Sequence, residues 1–304
     1  MDHSIELFGK TLSNPLMPAS GCFAFGQEAA TYQDLGLWGA LISKTVTLEP
    51  RLGNPPPRVV ETPSGLLNAI GLQNPGIDRF LCDQLPFMRT HHPAVIVNIA
   101  GNSVDDYVQL CERLQDQDIF AIELNLSCPN VKKGGMALGT SPELIRQVTA
   151  ACKGVVDFPL IAKLTPNVTD IVSCALAAQE GGADAVSLVN TFLGMAIDLN
   201  TRRPVLQNNT GGLSGPCIKP LALRMVAQVY QAVDIPIIGL GGIQTGRDVL
   251  EFMLAGARVV QIGSANFADV HLAHRVLEEV QESREKLQIS SWDTWIGGLN
   301  YWKS

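Results

Sequence analysis

A short, almost uninterrupted apolar run comes back eight times along this chain, and a helical pattern follows most of its occurrences. The runs lie at 15–20, 40–46, 94–100, 121–127, 160–166, 185–191, 236–242 and 259–265. Strands covered on both faces read as continuous rather than alternating hydrophobicity, so the runs predict a buried parallel sheet. Between them, 103–115 opens on Ser-Val-Asp-Asp and sets Val108, Leu110 and Leu114 among charged residues. Segment 141–155 opens on Ser-Pro-Glu-Leu, an N-cap followed by Pro in the first turn. Helices are also expected at 169–180, 219–232 and 244–255, the last two closed by Pro and Gly signals. Eight alternations in 304 residues predict one α/β domain over 1–304, a (β/α)8 TIM barrel. An open doubly wound sheet is the alternative. Two stretches break the rhythm, 47–76 and 192–216, and read as long unstructured loops at the C-terminal face, where barrels build their sites.

Composition narrows the function. A formal net charge of −7 offers no basic patch for nucleic acid. No apolar run reaches the ~18–20 residues that span a bilayer, and Met1 to Glu6 has neither the basic start nor the apolar stretch of a signal peptide. Seven Cys without regular pairing and without a CxxC argue for reduced thiols in the cytoplasm and against a metal or iron–sulfur site.

Polar residues collect where the strands end: Ser20 with Gly21, Lys44 with Thr45, Asn98, Asn125 with Ser127 and Cys128, Lys163, Asn190 with Thr191, Gly241 with Gly242, and Gly263 with Ser264. Buried polar groups need partners, so eight such ends together imply a polar ligand. The last two Gly-ended strands suit a phosphate, or else only tight turns. Lys44 and Lys163 sit in apolar strand ends, where a cation needs a counter-charge or a reaction. The other reading is a Lys reaching out to solvent. Cys82, Cys111, Cys152 and Cys174 fall within helix patterns as small buried hydrophobes. Cys128 differs. It follows a strand end in Asn125-Leu-Ser-Cys-Pro-Asn130, ahead of a Gly-rich stretch, 131–139, that suits a lid, and a thiol with pKa ~8.5 is tunable into a base. Asn68, Asn125, Asn130 and Asn190 offer amides that match the alternating N–H and C=O of a pyrimidine ring, although loop Asn residues also form turns.

At these residues the chain resembles the class 1 dihydroorotate dehydrogenases, and within them the class 1B catalytic subunit. The motifs that carry the likeness span nearly the whole chain. They are Pro18-Ala-Ser-Gly-Cys-Phe23, Ser43-Lys-Thr45, Asn54-Pro-Pro-Pro-Arg58, Asn68-Ala-Ile-Gly-Leu-Gln-Asn-Pro-Gly76, Asn125-Leu-Ser-Cys-Pro-Asn-Val131, Ala162-Lys-Leu164, Asn190-Thr191, Gly211-Gly-Leu-Ser-Gly-Pro216, Gly241-Gly242 and Gly263-Ser-Ala-Asn-Phe267. The resemblance implies FMN against Ala19, Ser20, Lys44, Thr45, Asn98, Asn125, Lys163, Val189, Gly215, Gly241, Gly242, Gly263 and Ser264. It implies dihydroorotate on the flavin, held by Lys44, Asn68, Ala69, Ile70, Gly71, Leu72, Asn125, Asn130, Asn190 and Thr191. Cys128 would take the C5 proton while hydride leaves C6 for the flavin.

No GxGxxG follows a strand and no Cys cluster is present, so the chain has no evident means of reducing NAD+ alone. The resemblance supplies a partner subunit with FAD and a [2Fe–2S] cluster, around a homodimer within a heterotetramer. It also implies that the N-terminal anchor of the membrane-bound class is missing here. Three alternatives remain: a fumarate-linked class 1A enzyme, a dihydropyrimidine dehydrogenase-like flavoprotein, and a Schiff-base aldolase barrel with Lys163 as nucleophile. Trp292, Trp295 and Trp302 near the C-terminus either pack back onto the barrel or mark a partner surface.

Overall fold

The computed structural model describes residues 3–126, 132–133 and 136–302. All eight apolar runs become strands of one parallel sheet: β1 (Leu16–Pro18), β2 (Leu41–Ile42), β3 (Val95–Ile99), β4 (Ala121–Asn125), β5 (Leu160–Lys163), β6 (Ala185–Leu188), β7 (Ile237–Leu240) and β8 (Ala257–Ile262). Each pairs with its sequence neighbours from β2 through β8, and β8 pairs back onto β1. The seam between β1 and β2 has no ladder; Gly39 N donates to Leu16 O at 2.8 Å and draws the edges together. A Cβ on Gly39 would lie 2.0 Å from Asn14 O, so only glycine fits the seam. The result is the nearly closed barrel the alternation predicts, not an open sheet. Strands β3 to β7 are buried along their whole length, because helices cover their outer faces.

Several helices start where a side chain caps them. α1 (Leu85–His91) continues from a π turn at Phe80–Gln84. α2 (Val104–Leu114) starts at Ser103, whose side chain accepts from Asp106 N, and buries Tyr107, Leu110, Cys111 and Leu114. α3 (Pro142–Lys153) and α4 (Ile171–Glu180) are capped by Ser141 and Asp170. α5 (Lys219–Tyr230) follows a 3-10 turn at Pro216–Ile218, and α6 (Gly246–Leu254) opens with a capping box between Thr245 and Asp248. α7 (Leu272–Lys286) completes the layer.

The two long interruptions are not unstructured. Strands Val59–Thr62 and Gly65–Asn68 from the first, and Phe192–Gly194 and Gly211–Ser214 from the second, form one four-stranded antiparallel sheet over the barrel mouth. Their Pro, Gly and Asn residues shape turns between short strands, and cross-loop pairing cannot be read from either loop alone. Cys82 corrects another expectation: it is exposed, whereas Cys111, Cys152 and Cys174 are buried. The π turn rotates Cys82 outward and leaves Phe80 as its buried residue.

At the opposite end a hairpin, Ile5–Leu7 with Lys10–Leu12, caps the barrel. The C-terminal segment packs against it. Trp292 Nε1 donates to His3 O at 3.3 Å, and the Arg284 guanidinium lies 4.0 Å from the Trp292 ring centroid. Trp295 also packs on the core, whereas Trp302 is fully exposed. Among the described residues no helix is long and apolar enough to cross a membrane.

Candidate active site

Strand register places the polar ends in one layer. Asn98 of β3 sits opposite Glu123 of β4, and Lys163 of β5 sits between Asn125 of β4 and Ser187 of β6. Inward-facing strand positions recur every second residue, so Glu123 and Asn125 share the barrel interior. Glu123 is fully buried and accepts from Asn98 Nδ2 (2.5 Å), Ser187 Oγ (2.8 Å) and Gln261 Nε2 (2.6 Å). Lys163 Nζ stands 3.5 Å from the same carboxylate and donates to Gln261 Oε1 at 3.1 Å. A buried charge persists only when paired and hydrogen-bonded, and here both conditions hold. Lys163 therefore does not reach out to solvent.

One step nearer the rim, Ser20 Oγ donates to Ser43 O (2.8 Å) and lies 3.4 Å from Thr45 Oγ1, which accepts from Asn125 Nδ2 at 3.3 Å. Tyr107 Oη reaches from α2 to Asn125 O at 2.7 Å and pins the end of β4. Lys44 is partly buried beside Gly21, whose added Cβ would stand 3.1 Å from Nζ. Burial pushes its pKa down most strongly; Cys22 opposes this, and the charges of Arg58 and Lys163 add to the lowering. Among the described residues, no carboxylate lies within ion-pair range of Lys44.

The glycine-ended strands make a cradle. Gly241 and Gly242 hold φ of +129° and +78° and Gly215 of +103°, conformations that favour glycine. A Cβ on Gly242 would sit 2.7 Å from Gly215 O and 2.9 Å from Lys219 N, and one on Gly241 would approach Val189 Cγ2 at 3.5 Å. Gly263 is the N-cap of the 3-10 turn Ser264–Phe267, with Ala19 Cβ and Cys22 Sγ 3.8 and 3.9 Å from its added Cβ. Ala19 N donates to Ile262 O, which joins β1 to β8 at that point. Two glycine loops and a helical turn thus bring Val189, Gly215, Gly241 and Gly242 together, and Ala19, Gly263 and Ser264 beside them. Such a cradle fits a phosphate. Asn98 Oδ1, buried and without a hydrogen-bond partner, fits a ligand N–H. Both observations suit a flavin mononucleotide.

Over the mouth, Asn68 pairs with Gly212 and donates through Nδ2 to Gly212 O at 3.3 Å. A Cβ on Gly212 would lie 2.0 Å from Thr191 Oγ1, so the covering sheet rests directly on the end of β6. Asn190 Oδ1 accepts from Thr191 N at 2.8 Å, and Asn167 Nδ2 donates to Thr191 O. The segment 69–72 is held from behind by Asn54, whose N and Nδ2 donate to Ile70 O and Ala69 O. Asn74 accepts from Thr47 N and Gly76 N and donates to Leu72 O. Asn68, Ala69, Ile70, Gly71, Leu72, Asn190 and Thr191 therefore line one region. Cys128 and Asn130 lie outside the described residues.

Sequence reasoning missed Glu123, Ser187 and Gln261, the acceptor and donors beneath the mouth, and Cys22 at its wall. A signal for the first existed: Glu123 interrupts an apolar strand two residues before Asn125, and a charge there has to be paired. Burial pushes the Cys22 thiol up to about 11, although Lys163 and Lys44 both pull it down. Asn74, Asn54 and Thr47 were also missed, because their bonds span the loop.

The family model for dihydroorotate dehydrogenase matches residues 3–283. Proteins named dihydroorotate dehydrogenase B (NAD(+)), catalytic subunit, are similar to this chain along almost its whole length. The one from Listeria innocua is 53% identical over 289 residues, covering 95% of each chain. That of Anoxybacillus flavithermus is 52% identical over 285 residues, 93% of this chain and 91% of the relative. That of Geobacillus kaustophilus is 50% identical over 302 residues, 99% and 96% respectively.

Proposed function

The chain belongs to the dihydroorotate dehydrogenase family, in its class 1B, and on that premise we propose that it oxidises (S)-dihydroorotate to orotate at the barrel mouth, with FMN as cofactor and Cys128 as general base. It is an oxidoreductase acting on a CH–CH bond in pyrimidine biosynthesis. The observation that carries the site assignment is Lys44: a desolvated cation at the rim with no described carboxylate in ion-pair range, beside a second cation already paired to Glu123. Such a site favours an anion, and the substrate is a carboxylate.

FMN would be held by Ala19, Ser20, Lys44, Thr45, Asn98, Asn125, Lys163, Val189, Gly215, Gly241, Gly242, Gly263 and Ser264. When bound, it supplies the two-electron, hydride-accepting chemistry that no side chain offers. The chain's own residues do the rest. Lys44 holds the substrate carboxylate. Asn68 to Leu72, Asn125, Asn130, Asn190 and Thr191 match the ring's N–H and C=O groups and fix its plane. Cys128 takes the proton from C5, and the covering sheet keeps water away from the ring. Lys163 Nζ is engaged by Glu123 at 3.5 Å and by Gln261 Oε1 at 3.1 Å, which disfavours it as a Schiff-base nucleophile.

Electrons would then leave for NAD+ through a partner subunit that carries FAD and [2Fe–2S], with this chain as a homodimer within a heterotetramer. What supports a partner and NAD+ as acceptor is the relatives' name, a catalytic subunit of an NAD(+)-linked enzyme. We place the whole chain, 1–304, in one barrel domain in the cytoplasm. A substrate comparison tests the reading: the flavin-loaded protein should be reduced by dihydroorotate and not by dihydrouracil. Reduction by dihydrouracil alone, or a borohydride-trapped adduct on Lys163, would overturn it.

A further inference from the structure

The Glu123 carboxylate has no part in the reaction as written, yet it is fully buried, accepts three hydrogen bonds and stands 3.5 Å from Lys163 Nζ. We propose that Glu123 is a positioning residue for the cofactor. As an acceptor-only centre it orients the amides of Asn98 and Gln261 and holds Lys163, so that Asn98 Oδ1 and the Lys163 ammonium face the bound flavin. This rests on the FMN reading above.

The argument is one of donors and acceptors. An ionised carboxylate only accepts, whereas a side-chain amide donates from nitrogen and accepts at oxygen. Asn98 turns Nδ2 to Glu123 Oε2 at 2.5 Å, and Gln261 turns Nε2 to Oε1 at 2.6 Å. Reversing either amide would set a carbonyl oxygen against a carboxylate oxygen. With its nitrogen so committed, Asn98 presents Oδ1, fully buried and unpartnered. Gln261, likewise committed, presents Oε1 to Lys163 Nζ at 3.1 Å, while the ammonium stands 3.5 Å from Glu123. Ser187 Oγ fills the remaining acceptor position at 2.8 Å. Five strands contribute to this arrangement, β3, β4, β5, β6 and β8, so its parts are rigidly placed. It offers one acceptor and one cation to a ligand, which suits a ring bearing an N–H donor beside an electron-rich carbonyl edge, as isoalloxazine does.

Glu123→Gln keeps the size and removes the acceptor-only character. FMN binding to deflavinated protein, followed by flavin fluorescence, would be compared for wild type, Glu123→Gln, Asn98→Ala and the double variant, together with the flavin midpoint potential of each holoenzyme. We expect Glu123→Gln to weaken FMN binding about tenfold or more and to shift the potential. The double variant should lose less than the product of the two single losses, because Glu123 acts in part through Asn98. Unchanged affinity and potential in Glu123→Gln, or losses that multiply, would overturn the proposal. Should that variant not fold, the wild-type infrared spectrum decides: a protonated buried carboxyl band at neutral pH assigned to Glu123 overturns the orientation, and an ionised carboxylate supports it. Failure of the wild type to take up FMN would sink the cofactor reading instead, and the infrared result would still decide how the amides are set.

Discussion

Lys44 is a cation held where water is scarce. Burial lowers its pKa from the ordinary lysine value, so the folded protein sheds this proton before the unfolded chain does. Its electrostatic cost to folding is fully present below the folded pKa and is relieved as pH rises toward the unfolded value of ~10.4. A bound carboxylate reverses the effect and favours the charged form. Orotate affinity should therefore fall as pH climbs through the lowered pKa, in a range where an ordinary lysine would still be charged. Titrating orotate binding against pH checks this. In Lys44→Ala the alkaline fall should vanish and the dihydroorotate KM should rise, and an unchanged profile would remove the contact. Burial pushes the Cys22 thiol up to about 11, so Cys22 does not compete as a base near neutral pH. Cys128→Ala should leave FMN and orotate bound and slow flavin reduction by ~10²–10⁴; stopped-flow reduction at near-normal rate would exclude Cys128 as the base.

Among elements, the covering sheet bears on the proposed substrate site. It touches the barrel at Gly212, where an added Cβ would collide with Thr191. Gly212→Ala should lift the sheet from β6, raise the dihydroorotate KM at least several-fold and leave FMN affinity close to wild type. A Gly242→Ala change should do the reverse, because its Cβ meets Gly215 O and Lys219 N in the proposed phosphate cradle. Steady-state KM and FMN titration on both variants separate the two roles. The barrel strands were legible in the sequence because each is a short, mostly apolar run, α2 and α3 because Ser103 and Ser141 announce them, and α6 because Gly256 closes it. The covering sheet was not, since Asn68 and Gly212 pair across 144 residues and neither segment shows alternation. The N-terminal hairpin escaped notice for a related reason: its strands are three residues long. Glu123 was passed over because an isolated acid in an apolar strand gains meaning only when Asn98, Ser187 and Gln261 are seen around it.

At the scale of the whole molecule, the barrel keeps its ends apart in function. The hairpin, α7 and the Trp292 segment close one end with packing and hydrogen bonds, while the polar layer and covering sheet occupy the other. Nothing in the sequence resembles a nucleotide fingerprint after a strand, so the account requires a partner for NAD+. The isolated chain should be reduced by dihydroorotate yet fail to turn over with NAD+, and adding the FAD and [2Fe–2S] subunit should restore NADH formation; steady NADH production by the chain alone would refute the division of labour. The central claim, a flavin and dihydroorotate meeting at this barrel mouth, is tested most directly by the visible spectrum of the purified, FMN-loaded chain before and after anaerobic dihydroorotate. The account predicts flavin bands that bleach on addition and return with an oxidant. A protein that binds no FMN, or whose bands persist unchanged with excess substrate, would contradict it.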